Sequence, residues 1–151
     1  YVAGQGGFFD VVLHPEFASN RLVYLSFAHG TPEANATRIV RGTLGASALE
    51  NVEVVLTVEP TKDNPQHYGG RFTFLPDGTL LITTGEGFDY REKAQDLSVQ
   101  FGKTLRINDD GSVPDDEIDD DGDAVADAEA VESGSDADDA NAGDSAGDEA
   151  C

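Results

Sequence analysis

Short runs of alternating hydrophobic and polar residues, separated by turn residues, dominate residues 1–108. Each run is rich in β-branched or aromatic residues, which favour strands. The pattern predicts seven strands, at 8–13, 22–28, 37–43, 52–58, 71–75, 79–84 and 103–107. No window longer than about ten residues has a helical period, and segment 90–100 fits either a short helix or a loop. An all-β fold is therefore predicted.

The strand pattern repeats within the chain. The segment GGFFDVVLHPE at 6–16 recurs in outline as GGRFTFLPD at 69–77, and an apolar strand follows each copy. Strand groups that repeat roughly every 40–60 residues are typical of β-propeller blades, each a four-stranded sheet packed on its neighbours. The sequence predicts one complete blade and about three strands of a second, with a tight turn at Pro76-Asp77-Gly78. Because blades bury their faces against each other, two blades leave an apolar flank for missing blades or a partner protein to cover.

Charge divides the chain into two parts. All 9 Lys and Arg lie at or before Arg106, whereas more than half of the 30 Asp and Glu lie in residues 109–151. That acidic segment has no aromatic residue and too little apolar surface to offset the ordering of its backbone. We predict a partial propeller over residues 1–114 and an acidic, largely irregular tail over residues 115–151. A net charge of -21 argues against nucleic acid and anionic membranes as partners and favours divalent cations.

His67 is the candidate catalytic residue. It lies in the connection that enters the second blade, and propeller ligands bind where such connections converge. An imidazole accepts a proton near neutral pH, and we expect Gly69 and Gly70 to let a planar ligand approach the backbone. From the residues alone, a histidine that only makes a hydrogen bond in a turn is the favoured alternative.

Four sequence blocks resemble the soluble aldose dehydrogenases that depend on pyrroloquinoline quinone (PQQ), the glucose/sorbosone dehydrogenase family of six-bladed propellers. The blocks are GQGGFFDVVLHPEF at 4–17, HYGGR at 67–71, AQDL at 94–97 and GKTLRIN at 102–108. The resemblance implies a periplasmic or secreted oxidoreductase that uses PQQ and calcium to oxidise aldose sugars to lactones. It also implies that His67 is the general base, which takes the proton of the anomeric hydroxyl, and that Gln5 lines the cofactor pocket.

Two departures from the family pattern affect what the chain is expected to do alone. Family members often have Asp just before the general base, where this chain has Gln66, so we expect an imidazole without that carboxylate partner and a weaker base. The family's cationic residues that bind the PQQ carboxylates, and its loop that holds calcium against the cofactor, lie in later blades. The sequence lacks them, so we expect a fragment, arising by truncation, fusion or frameshift, that does not hold PQQ tightly by itself.

The acidic tail contains a second candidate site. The segment DDDGDAVADAE at 119–129 resembles a degenerate thrombospondin type 3-like calcium repeat. Calcium prefers several oxygen ligands in flexible loops, and alternating Asp residues with a turn glycine supply them. The resemblance implies four calcium ligands: Asp119, Asp121, Asp123 and Asp127. A disordered acidic linker with diffuse counterions is the alternative.

Three classes of function follow from these features. The first is a PQQ-dependent sugar dehydrogenase, of which this chain carries the first blades. The second is a non-catalytic, calcium-dependent extracellular binding module built on propeller blades. The third is a propeller hydrolase of the lactonase type, which uses carboxylates and calcium in the channel; the four family blocks count against it.

Overall fold

Seven strands form two antiparallel sheets among residues 1–115, which are the residues that the computed structural model describes. The first sheet runs in chain order through β1 (Phe8–Leu13), β2 (Leu22–Gly30), β3 (Asn35–Leu44) and β4 (Leu49–Thr57). The second sheet contains β5 (Gly69–Phe74), β6 (Leu80–Thr84) and β7 (Thr104–Ile107). One helical turn, α1 (Phe17–Asn20), joins β1 to β2. Each predicted strand is present, and the all-β prediction is confirmed.

The strand order confirms the propeller interpretation of the repeat. A four-stranded meander followed by a three-stranded one corresponds to a complete blade and three strands of the next. The segment at 90–100, which the sequence left open, contains a 3-10 helix at Arg91–Gln95 in the connection from β6 to β7. The predicted acidic tail begins at the edge of the described residues and lies almost entirely outside them.

The predicted turn closes the β5–β6 hairpin. The Gly78 N–H donates to the Leu75 carbonyl oxygen over 3.0 Å, and Gly78 has a φ of 87°, which glycine adopts without strain. The Asp77 carboxylate accepts a 2.9 Å hydrogen bond from the Thr79 N–H. This local chemistry sets the register of the hairpin next to the turn, and an irregularity between Gly69 and Phe72 shifts it by one residue towards the open end.

The two sheets pack face to face through one apolar core. Successive residues of a strand point to opposite faces, so one side of each sheet is available for burial. The core residues are Tyr24, Ile39 and Val55 of the first sheet and Phe72, Leu80, Ile82 and Ile107 of the second. Burial of a side chain of this size stabilises the fold by about 1.5–3 kcal/mol, so this core holds the sheets together.

Buried hydroxyl groups connect the sheets at the start of β5. The Ser26 Oγ donates to the Gly70 carbonyl oxygen over 2.6 Å, and the Thr37 Oγ1 donates to the Tyr68 carbonyl oxygen over 2.8 Å. Ser26 is 0% exposed and Thr37 is 2% exposed. Because both acceptors belong to the backbone around the beginning of β5, these bonds fix that end of the strand against the first sheet.

The opposite face of the first sheet carries several exposed apolar side chains. Phe8 is 78% exposed, Val11 60% and Val54 56%. In the strand register, Leu25 of β2 and Val40 of β3 continue the row that joins Val11 to Val54. Residues 1–115 therefore show the apolar flank that the sequence predicts.

Two adjacent valines of β4 test which face of the first sheet is the core. Val55 is 7% exposed and belongs to the core, whereas Val54 is 56% exposed. We expect Val55→Ala to lower the free energy of unfolding by about 2 kcal/mol, because it removes buried methyl groups and leaves a cavity. We expect Val54→Ala to change it by less than about 0.5 kcal/mol. Urea unfolding of both variants measures the difference, and equal losses would contradict the assignment of faces.

Candidate functional site

His67 and Glu86 face each other at the open end of the β5–β6 pair. Gly69 pairs with Thr84 in the antiparallel β5–β6 ladder. His67 lies two residues before Gly69, and Glu86 lies two residues after Thr84, so the antiparallel register brings them together. The His67 Nδ1 lies 2.5 Å from the Glu86 Oε1. The His67 side chain is 38% exposed and that of Glu86 is 28% exposed, so a ligand from solvent has access to the pair.

The backbone around His67 is tightly constrained. His67 has a φ of 47°, in the left-handed region that residues with a Cβ rarely adopt. Its carbonyl oxygen accepts a 3.2 Å hydrogen bond from the Gly87 N–H. A Cβ on Gly85 would collide with that carbonyl oxygen, so only glycine allows the two loops to approach this closely.

Gln5 joins the loop before β1 to the loop that carries His67. Its side-chain Oε1 accepts a 2.9 Å hydrogen bond from the His67 N–H, and its own N–H donates to the Pro65 carbonyl oxygen over 2.9 Å. The strands β1 and β5 are neighbours, which brings the loops before them together. The structure therefore places the two predicted site residues side by side, with Gln5 holding the backbone of His67.

Glu86 determines which ring nitrogen of His67 carries a proton. The hydrogen bond from His67 lowers the pKa of the Glu86 carboxyl below its ordinary value of 4.5. An ionised carboxylate only accepts hydrogen bonds, so we assign the proton of a neutral imidazole to Nδ1. The Nε2 lone pair then accepts a proton, and Glu86 stabilises the resulting imidazolium. The pair has the composition of a general base with its orienting group.

An aromatic ring forms one side of this pair. The Phe88 ring meets the imidazole edge-on, with 5.1 Å between ring centroids. The Arg91 guanidinium lies 4.9 Å from the Phe88 ring centroid, and its Nε donates to the Phe88 carbonyl oxygen over 3.0 Å. The loop after β6 thus provides the orienting carboxylate, an aromatic contact and a cation near the candidate base.

The position before His67 holds Gln66 and supplies no carboxylate, but the imidazole has one from Glu86, on the other side of the hairpin. The weaker base expected from Gln66 stays a prediction. Counting outward in pairs from the predicted turn at 76–78 would place Gly87 opposite His67. An irregularity between Gly69 and Phe72 shifts the pairing by one residue and brings Glu86 there instead, so the turn alone does not reveal this partner.

The two glycines after His67 serve the packing of the protein. A Cβ on Gly69 would lie 2.6 Å from the Gly85 nitrogen, and a Cβ on Gly70 would lie 2.7 Å from the Phe9 Cδ2. The space beside them is filled by the neighbouring strand and by an aromatic ring. Packing alone therefore requires glycine at both positions, and the approach of a planar ligand to this backbone stays a prediction.

The predicted calcium ligands Asp119, Asp121, Asp123 and Asp127 lie outside the described residues. Within residues 1–115, no group of three or more His, Cys, Asp or Glu side chains is arranged to hold a metal ion. In the same part of the chain, no helix has the length and apolar character needed to span a membrane.

A comparison with known protein families shows which family this chain resembles in sequence. The sequence profile of the family described as Glucose / Sorbosone dehydrogenase matches residues 1–130. The chain belongs to this family. It is 38% identical over 116 residues to the aldose sugar dehydrogenase YliI of Escherichia coli, which covers 75% of this chain and 31% of the relative.

Solved structures of glucose/sorbosone dehydrogenase relatives share the fold. The soluble aldose sugar dehydrogenase of Escherichia coli in its apo form superposes with a TM-score of 0.73 at 36% identity, covering 81% of this chain and 36% of that one. The PQQ-bound aldose sugar dehydrogenase of Streptomyces coelicolor gives a TM-score of 0.66 at 30% identity, covering 83% and 36% of the two chains. The chain thus spans about a third of the length of these relatives, and its sheets are part of a β-propeller.

The contact between His67 and Glu86 predicts how stability depends on pH. A carboxylate whose pKa is lowered on folding stabilises the protein above its unfolded pKa, and this contribution is lost as the pH falls through the folded value. Glu86→Gln removes the contribution. We expect the wild type to be the more stable at neutral pH, with a difference that shrinks as the pH falls below 4.5. Urea unfolding across this range measures it, with exposed Glu33→Gln as control. A difference independent of pH would contradict the stabilising hydrogen bond between His67 and the Glu86 carboxylate.

Proposed function

We propose that this chain supplies the general base of a PQQ-dependent sugar dehydrogenase that oxidises aldoses to lactones. The observation that supports the proposal most directly is the contact between His67 and Glu86, which leaves the Nε2 of an accessible imidazole free to accept a proton. Two further observations agree with it. One relative is named an aldose sugar dehydrogenase, and one structural neighbour is described as PQQ-bound.

The residues of this chain act on the proton of the substrate. The Nε2 of His67 removes the proton from the anomeric hydroxyl as the carbon–oxygen bond gains double-bond character. Glu86 stabilises the positive charge that forms on the imidazole, and Gln5 holds the backbone of His67 in place. When bound, PQQ supplies the acceptor for the hydride that leaves the anomeric carbon, so that the aldose loses one proton and one hydride and becomes a lactone.

The described residues fit only one part of a PQQ site. His67 and Gln5 would lie against the part of the cofactor at which the substrate reacts. PQQ is a polycarboxylic acid, and its carboxylates require cations. Arg91 is the cation beside Phe88 at this end of the hairpin, while the exposed Arg71 is paired with Asp10. We therefore propose that the remaining cations come from other blades of the family fold.

The location, the calcium site and the domain division are parts of the same proposal. The family resemblance supports a periplasmic or secreted location and a role for calcium. The compact unit that contains the described residues ends at Asp115, next to the proposed boundary between residues 1–114 and 115–151. The family match runs further, to residue 130, and so includes the proposed calcium ligands.

Replacement of His67 tests the proposed catalytic role. In a family-length protein that contains this chain, loaded with PQQ and calcium, reduction of an artificial dye by an aldose measures turnover. We expect His67→Ala to lower turnover by about 10²–10⁴-fold, the range for loss of a general base. His29→Ala, at an exposed histidine on β2, is the matched control and should retain activity. Turnover that survives His67→Ala would reject the proposed role of His67, and a wild type that shows no turnover would favour the non-catalytic binding module.

Calcium titration tests the proposed metal site of the tail. Calorimetry should show saturable binding that is lost in Asp121→Ala, because that residue supplies one of the proposed carboxylate ligands. Asp148→Ala, outside the repeat-like segment, should leave binding intact. A response that both variants share with the wild type, and that added monovalent salt reproduces, would favour a disordered acidic linker.

A further inference from the structure

Lys62 is a buried lysine in the loop that leads to His67. It is 4% exposed, although lysine is almost never buried without partners. Its ammonium Nζ donates to the Asn64 carbonyl oxygen over 2.6 Å and to the Asn35 Oδ1 over 3.3 Å. The same ammonium lies 3.5 Å from the centroid of the Tyr68 ring, a cation–π contact.

The buried charge is unfavourable for folding near neutral pH. Desolvation lowers the pKa of Lys62 to about 8, against a smaller opposing effect of Asp63. The unfolded chain holds this proton more tightly than the folded chain, so the charged lysine costs stability below about pH 8. An unbranched apolar side chain would fill the space without this cost. Because the charge of Lys62 destabilises the fold, its presence indicates a role other than stabilising the fold.

The partners of Lys62 lie on both sides of His67. Asn64 precedes the histidine, and its Oδ1 also accepts a 3.2 Å hydrogen bond from the Gln66 N–H. Tyr68 follows the histidine, and its hydroxyl donates to the Asn35 Oδ1 over 2.6 Å. The ammonium thus contacts the residues that flank the candidate base and the asparagine that anchors them to β3.

Asn64 extends this network to the loop that carries Glu86. Its Nδ2 donates to the Gly87 carbonyl oxygen over 2.8 Å and to the Asp89 Oδ2 over 3.1 Å. Gly87 also packs on the lysine, since a Cβ at that position would lie 3.1 Å from the Lys62 Cδ. Both halves of the His67–Glu86 pair are therefore held by groups that contact Lys62.

We propose that Lys62 is a positioning residue, whose ammonium holds the loops of His67 and Glu86 at the distance at which the two side chains meet. The proposal rests on the proposed role of His67 as general base. Lys62 touches neither substrate nor cofactor in this assignment; it acts through Asn64 and Tyr68. A displacement of about 1 Å at a catalytic group lowers turnover by about 100-fold, so loss of this ammonium should be measurable.

The variant Lys62→Met removes the ammonium and keeps a side chain of similar length. In this chain, proton NMR reports the His67–Glu86 contact directly, through the downfield Nδ1 proton that the carboxylate protects from exchange with water. Glu86→Gln and His67→Ala identify this resonance. We expect Lys62→Met to broaden or abolish it.

Lys103→Met is the matched control. The Lys103 Nζ also donates to carbonyl oxygens, those of Ala94 and Phe101 at 2.8 Å, but it contacts neither Asn64 nor Tyr68 through any of these bonds. We expect this variant to alter stability and to leave the His67 resonance in place. An Nδ1 proton that persists in Lys62→Met, or that disappears equally in Lys103→Met, would overturn the positioning role.

A second variant and a kinetic measurement separate positioning from folding. If Lys62→Met does not fold, Asn64→Ala removes the connection to Gly87 while Lys62 stays in place, and it should also broaden the resonance. In the family-length protein, Lys62→Met should lower kcat by about 10–100-fold with little change in KM, because positioning affects the reacting geometry. An unchanged kcat in a protein that His67→Ala inactivates would reject the role of Lys62 alone. Activity that His67→Ala leaves intact would reject the proposed function instead.

Discussion

The packing of the two sheets through their inner faces sets the geometry of the candidate site. Residues such as Ile39 and Ile82 have no exposed surface, so the sheets cannot slide without opening the core. The hydroxyls of Ser26 and Thr37 then fix the start of β5 against the first sheet. Once β5 is fixed, the register of the hairpin brings Glu86 to His67. The loops that carry His67 and Glu86 are irregular, yet the packing of the apolar core between the two sheets determines their positions.

The same packing leaves apolar side chains exposed on the opposite face of the first sheet. A propeller blade buries both faces, each against a neighbouring blade. Residues 1–115 bury the inner face of the first sheet, and on its opposite face they leave exposed the two ends of the row that runs from Val11 to Val54. The chain covers 36% of the aldose sugar dehydrogenase structure that it resembles. We infer that this row corresponds to a surface between blades in the longer relatives.

The sequence predicts local structure well because strands and turns depend on near neighbours. Alternation and β-branched residues identified every strand, and Pro76-Asp77-Gly78 identified the hairpin. The role of Glu86 could not be predicted from this turn, because an irregularity between Gly69 and Phe72 shifts the pairing of the hairpin by one residue. Local patterns could not predict the burial of Lys62, because its contact with Asn35 joins segments that are distant along the chain. A lysine in a polar loop is normally exposed.

A crystal structure of a family-length protein that contains this chain, determined with PQQ bound, tests the central claim most directly. The claim is that His67, oriented by Glu86, faces the cofactor pocket at the open end of the hairpin. The account predicts cofactor density beside the His67 ring with the Nδ1 still bonded to the Glu86 carboxylate. Cofactor density remote from His67, or an imidazole turned to the outer rim of the propeller, would contradict it.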